Sequence, residues 1–385
     1  MTEPTLPDFD IVRALFLLQC SSDNVPLDEK TSIADNLLSK IIEKKQSMTY
    51  QLFCEKTSRD VDSSVEASLS ADNADELARL EAAIATAEES FGDIEVKGAL
   101  LAKADFFMRI GDKGLSLSTL EAAYKKTVGV GMKIDNLLTR ARVGFYHGDL
   151  AIAKDCVDEA SKELEKGGDW ERKNRLLVYR GLLHMTKREF KEAANLFVAT
   201  LATFTSTELL SFNEFVLYTV ITACVSLDRS TLKNKLLNSP EILSISHEIP
   251  GLTDFLSALH ESRYSDFFAS ILTLSSEISK DRYLSSHLRF LLRSFRLIAF
   301  KQFLTSYKSV TIANMAAAFA ISQHYLDLEI SSFVANGKLN CKIDQVAGVV
   351  ESRVGDERNE AYLKVIKNGD ALLNRMQKLG KVIDL

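Results

Sequence analysis

The chain has 385 residues, room for two or three folding units, and 46% of them are hydrophobic, an ordinary share for a protein with a packed core. Its formal charge of −6 argues against nucleic acid or an anionic membrane as a principal partner. The start MTEPTLPDFD lacks the basic and apolar stretches of a secretion signal, and the longest apolar runs fall short of the ~20 residues that span a bilayer. Cys20, Cys54, Cys156, Cys224 and Cys341 are scattered with no CxxC, which reads as buried thiols in a reducing compartment.

Proline occurs only at Pro4, Pro7, Pro26, Pro240 and Pro250. Such long proline-free stretches with helical apolar spacing predict a mainly α protein. Residues 1–95 form an N-terminal helical region, with one helix over 8–20 and another near 31–55. The Ser/Asp-rich stretch 57–71 reads as a loose connection. Asn73 and Glu76 then form a capping box for a helix whose face carries Leu77, Leu80, Ile84 and Phe91.

Over 96–207 the joints GDKGLSLSTLEAAY (111–124), GDLAIAKDCVDEA (148–160) and REFKEAANLFVA (188–199) recur about every 40 residues, near the ~34 of tetratricopeptide repeats. Each unit is a helical hairpin that buries its apolar stripe only against its neighbours. Gly111 and Gly148 supply tight joints, and Arg188 stands where the third glycine would be. Gly167-Gly168 ends one helix, and Asp169 is placed to cap the next. Trp170, the single tryptophan, either wedges neighbouring repeats or forms an exposed binding anchor.

Residues 208–308 continue as helices, with a loop-rich stretch between Pro240 and Pro250. Arg289, Arg293 and Arg296 make a basic stripe, read as a solvated face or a dock for an acidic partner. Residues 309–352 read as a winged helix. Thr311 caps one helix, Ser322 caps a second, and Asn336-Gly337 ends it. Leu339, Cys341 and Ile343 alternate at period two, and a turn at Asp344-Gln345 leads to a second strand through Val349 and Val350. A DNA-reading helix needs Lys or Arg, yet none lies between Lys308 and Lys338, and the helix carries Asp327 and Glu329. The wing is therefore read as protein-binding. In the C-terminal region, 353–385, a long helix carries an a/d seam of Val365, Leu372, Met376, Leu379 and Ile383, weakened locally by Gly369. Its length favours a bundle with helices of other chains over a fold-back onto its own wing.

No phosphate loop, dinucleotide fingerprint, HExxH, GxSxG or paired metal-spaced histidines occurs; His147, His184, His247, His260, His287 and His324 stand alone. The expectation is a binding protein rather than an enzyme, with no cofactor and no metal.

A tetratricopeptide-like α-solenoid of helical hairpins running into a winged helix resembles the PCI modules of large multisubunit assemblies. The strings AKADFFMRIGDKG (102–114), GGDWERKNRL (167–176), FTSTELLSFNEFVLYTV (204–220), ESRYSDFF (261–268), GKLNCKID (337–344) and NGDALLNRMQKL (368–379) are similar to the 26S proteasome non-ATPase regulatory subunit 6 family. That resemblance implies a non-catalytic, hetero-oligomeric scaffold in the proteasome lid, in cytoplasm and nucleus. Its implied partners are other lid PCI subunits and the ATPase ring. It also implies partner contacts through Leu339, Cys341, Ile343 and Val349 of the wing and through Leu372, Met376, Leu379 and Ile383 of the tail. The alternatives weighed are a COP9 signalosome subunit and a nucleic-acid-binding winged-helix protein.

Overall fold

The computed structural model describes residues 6–21, 26–57, 59, 61–90, 92–245, 248–352 and 357–383; Phe91 and His247 lie outside them. The chain divides into two compact units, 1–260 with 270–292, and 261–269 with 293–385.

The first unit opens with α1 (Phe9–Gln19), α2 (Leu27–Glu43) and α3 (Ser47–Thr57), closed around Ile11, Leu15, Leu37, Ile41, Tyr50 and Phe53. The expected single helix over 31–55 is thus two. Lys45 turns left-handed (φ 55°) and breaks the ladder where neither Gly nor Pro marks the sequence.

The loose connection expected over 57–71 is also corrected, because α4 runs unbroken from Ser63 to Ser90. Its polar start hides Leu69, which is buried against α2 and α3. Asn73 is therefore internal to a helix and caps nothing of its own. Its amide donates to the Lys45 carbonyl at 3.1 Å and to Ser47 Oγ at 3.3 Å, fastening α4 to the α2–α3 turn.

Three helical hairpins follow: α5 (Asp93–Ile110) with α6 (Lys113–Lys125), α7 (Val130–His147) with α8 (Leu150–Glu165), and α9 (Trp170–Thr186) with α10 (Phe190–Thr200). Leu77 and Leu80 of α4 pack on Phe106, Phe107 and Ile110 of α5. Gly111 (φ 92°) and Gly148 (φ 75°) end α5 and α7 in the left-handed region, where a Cβ would be strained. Asp112 and Asp149 then accept the first free amides of α6 and α8. In the third joint Arg188 takes the same left-handed conformation (φ 66°) without a glycine's freedom. The repeat is thus a Gly-Asp signature twice and a geometry three times.

The unit continues with α11 (Phe212–Ser226), started by a Ser211–Glu214 capping box and buried through most of its length. Then come α12 (Arg229–Leu232), α13 (Pro240–Ile245) and α14 (Leu252–Glu261). The stretch after Pro240 is therefore partly helical, with proline at a first position that needs no amide hydrogen. Two longer helices, α15 (Tyr264–Lys280) and α16 (Leu288–Thr305), follow.

The second unit includes the start of α15 and most of α16, then β1 (Ser309–Thr311), α17 (Ile312–Phe319), α18 (Gln323–Ala335), β2 (Cys341–Asp344), β3 (Val349–Ser352) and α19 (Glu357–Ile383). The three strands form an antiparallel sheet in the order β1-β3-β2. Thr311 and Ser322 cap α17 and α18 through their hydroxyls, as their positions in the sequence predict. The core is aromatic: Phe319 meets Tyr264, Phe300 and Phe303 at centroid distances of 4.7, 5.0 and 5.4 Å. The mainly α architecture, with helical hairpins, a winged helix and a long C-terminal helix, is the one expected.

Candidate assembly surfaces

The wing presents two faces. Strand alternation and register put Cys341, Ile343, Val310 and Val350 on one, and Lys342, Asp344, Thr311, Val349 and Glu351 on the other. Cys341 and Val350 are buried, so the first face is the inner one. Leu339 is 4% exposed and Cys341 6%, and both lie inside the fold. The expectation that they touch a partner is therefore corrected. Period two identifies which residues alternate, but not which set is already covered. Burial also pushes the Cys341 thiol up, which disfavours its thiolate form. Ile343 and Val349 are half-buried; only Val349 stands on the outer face.

The helices add two surface residues. Tyr325 of α18 is 42% exposed, and Leu328, three residues on, is 57% exposed. Three-residue spacing puts them side by side.

Glu329 does not face outward, as the sequence suggested. It pairs with Arg296 at 2.6 Å with its side chain 11% exposed. Arg293 lies over the Phe333 ring, 5.3 Å from its centroid. Two of the three arginines in the basic stripe are thus engaged within the second unit, and the stripe is not a free dock for an acidic partner. The charge argument against DNA survives without Glu329, since no Lys or Arg lies on α17 or α18.

The tail helix α19 spans 27 residues and is exposed along most of its length. Leu372 is 61% exposed, Met376 62%, Leu379 60% and Ile383 72%. Tyr362 and Val365 extend the same seam toward the N-terminus, and Leu363, Ile366, Leu373 and Val382 widen it. Transfer of each large aliphatic side chain from water to a partner is worth about 1.5–3 kcal/mol before ordering costs. No surface elsewhere on the described residues concentrates so many exposed large apolar side chains in one element.

Two structural assignments change. Trp170 is 64% exposed and wedges nothing; its place in the first turn of α9 leaves the indole in water. Asp169 precedes α9 as expected, but makes no capping hydrogen bond. Its carboxylate accepts from Arg172 at 2.5 Å, and Arg172 also binds Asp135 of α7 at 2.8 Å, which links neighbouring hairpins. No group of three or more metal-ligating side chains occurs among the described residues, and no described helix is long and apolar enough to cross a membrane.

Known proteins match along the whole chain. The family described as 26S proteasome subunit RPN7 matches residues 62–235, the PCI domain family matches 263–353, and the 26S proteasome regulatory subunit RPN7/PSMD6 C-terminal helix matches 361–383. The chain is 43% identical to the 26S proteasome non-ATPase regulatory subunit 6 homolog of Arabidopsis thaliana, over 98% of this chain and 97% of that protein. It is 32% identical to the 26S proteasome regulatory subunit RPN7 of Saccharomyces cerevisiae, over 100% of this chain and 95% of that one. Subunit 1 of the COP9 signalosome complex of Arabidopsis thaliana is 25% identical over 49% of this chain and 44% of its own length.

Proposed function

The chain belongs to the 26S proteasome subunit RPN7 family, and from that premise we propose that it is a non-catalytic scaffold subunit of the proteasome lid. It supports degradation of ubiquitinated proteins by holding the assembly together, working in cytoplasm and nucleus beside the lid's other PCI subunits and the ATPase ring. The observation that carries this reading is the exposed apolar seam of α19, which needs a partner to leave water. The matching of that segment to a family of its own, apart from the PCI match, supports a separate assembly role for the helix.

Two contacts follow. The tail enters a bundle with helices of other subunits through Leu372, Met376, Leu379 and Ile383. The wing meets a neighbour through its outer face and open edges, with Val349 and the Tyr325–Leu328 pair as apolar contacts. Half the chain's length and a quarter identity make the COP9 signalosome the weaker alternative.

Deletion of 361–385 tests the reading, with native mass spectrometry of the lid assembled around the truncated chain. The expected result is loss of this subunit from the complex; full incorporation would refute the bundle contact. Affinity purification of the full chain should bring down proteasomal ATPases. Cullins in their place would assign the chain to the signalosome.

A further inference from the structure

In the first unit, α1, α3, α7 and the segment after α15 enclose a cavity of about 420 Å³, within the range of small-ligand sites. Its two sides differ in chemistry. Phe16 and Leu52 contribute an apolar wall. Lys56, His147 and Arg282 contribute cationic or ionisable nitrogens from three separate elements. None of the described residues lining it is acidic.

The positive groups there are only partly offset by neighbouring carboxylates, Glu55 beside Lys56 and Asp112 beside His147. Arg282 donates one guanidinium nitrogen, Nη2, to the Tyr146 carbonyl at 3.0 Å, while its buried Nη1 meets no acceptor. Burial lowers the affinity of Lys56 for its proton, and the Arg282 charge lowers it further. Burial likewise depresses His147, with Lys113 adding to the effect. Glu55 partly offsets these effects at Lys56 through its charge, and the other nearby carboxylates have partners of their own: Asp8 pairs with Lys44, Asp149 with Lys113 at 2.7 Å, and Asp112 accepts the Leu115 amide at 3.0 Å. A buried donor without an acceptor is costly, and so are like charges brought together.

We propose that this cavity is a binding site for a terminal carboxylate carried on an apolar residue, as at the C-terminus of a partner peptide. Arg282 Nη1 and the Lys56 ammonium receive the carboxylate, and the apolar side chain lies on Phe16 and Leu52. A planar monoanion suits a guanidinium with one free nitrogen. Inorganic phosphate would satisfy the cations but leave the apolar wall in water. The site does not depend on the assembly role, and either can fail while the other stands.

The full chain is titrated with N-acetyl-leucine, N-acetyl-leucinamide and inorganic phosphate, followed by ligand-observed NMR and by the thermal unfolding midpoint. N-acetyl-leucine should bind and raise the midpoint, and the amide should bind at least tenfold more weakly. Lys56→Gln, at the exposed rim, should weaken binding on the order of tenfold, as loss of one charged hydrogen bond implies. Leu52→Glu should abolish it, with circular dichroism of both variants unchanged. Equal binding of acid and amide, tighter binding of phosphate, or wild-type affinity in both variants would overturn the proposal.

Discussion

Ala320 ends α17 in the left-handed region (φ 54°), a conformation that costs an L-residue about 1 kcal/mol and glycine almost nothing. Ala320 is exposed, so no packing opposes its replacement. Ala320→Gly should therefore raise the thermal midpoint of the chain, by roughly 0.5–1 kcal/mol of stability. A lower midpoint would show that the αL cap is not what holds the turn. A second residue-scale effect concerns Asp281. Burial raises its carboxyl above the ordinary 3.8, while hydrogen bonds from the Tyr218 hydroxyl and from the Tyr283 and Leu284 amides pull it back. Because the folded value exceeds the unfolded one, the group contributes stability that is fully present below pH 3.8 and lost as pH rises through the folded value. Asp281→Asn should flatten that part of the pH profile in denaturant unfolding. An unchanged slope would count against the shift. Tyr218→Phe removes the donor and leaves the carboxylate short of a partner, at a cost of about 1–3 kcal/mol.

The α7–α8 hairpin approaches closely where a side chain is missing. A Cβ on Gly144 of α7 would stand 2.9 Å from the Ala153 backbone nitrogen and 3.1 Å from the Asp149 carbonyl oxygen of the partner helix or its cap. Neither is the end of a flexible side chain, so the backbones themselves would have to part. Gly144→Ala should lower stability by about 1–3 kcal/mol, read as a shifted denaturant midpoint. Gly369 of α19 has nothing within 4 Å of its would-be Cβ. Gly369→Ala should instead strengthen its helix by up to about 1 kcal/mol, visible as added helicity near 222 nm. The contrast also explains what was legible beforehand. Gly-Asp joints and Thr/Ser caps are local chemistry, so the hairpins and the winged helix could be read directly from residues such as Gly111, Asp112, Thr311 and Ser322. The α2–α3 break was not legible because Lys45 adopts its left-handed turn under tertiary constraint. The start of α4 was hidden because its solvated face is rich in Ser and Asp while only Val65 and Leu69 mark the apolar buried side. The tail seam was legible as a pattern, and its exposure matches the need for a partner. The wing residues were only half legible: alternation was correct, but Leu339 and Cys341 fell on the covered side.

On the scale of the whole molecule, the tail adds apolar surface without adding core. Leu372→Asp with Met376→Asp should leave the thermal midpoint of the isolated chain within about 1 °C, because neither side chain is buried. The same pair should prevent entry into the lid, measured by co-sedimentation with the other subunits. A large fall in midpoint would mean that the helix is part of the chain's own fold. At ~1.5 Å per residue, the stretch from Tyr362 to Ile383 of α19 holds a strip of apolar groups about 30 Å long in contact with water. Such a strip is sticky at any concentration where two copies meet. Holdase chaperones and quality-control proteases bind the same kind of sequence, so molecules synthesised beyond the supply of their partners should clump or be cleared. Cellular dosage of this polypeptide should thereby follow that of its companions, with the solubility of one helix as the gauge.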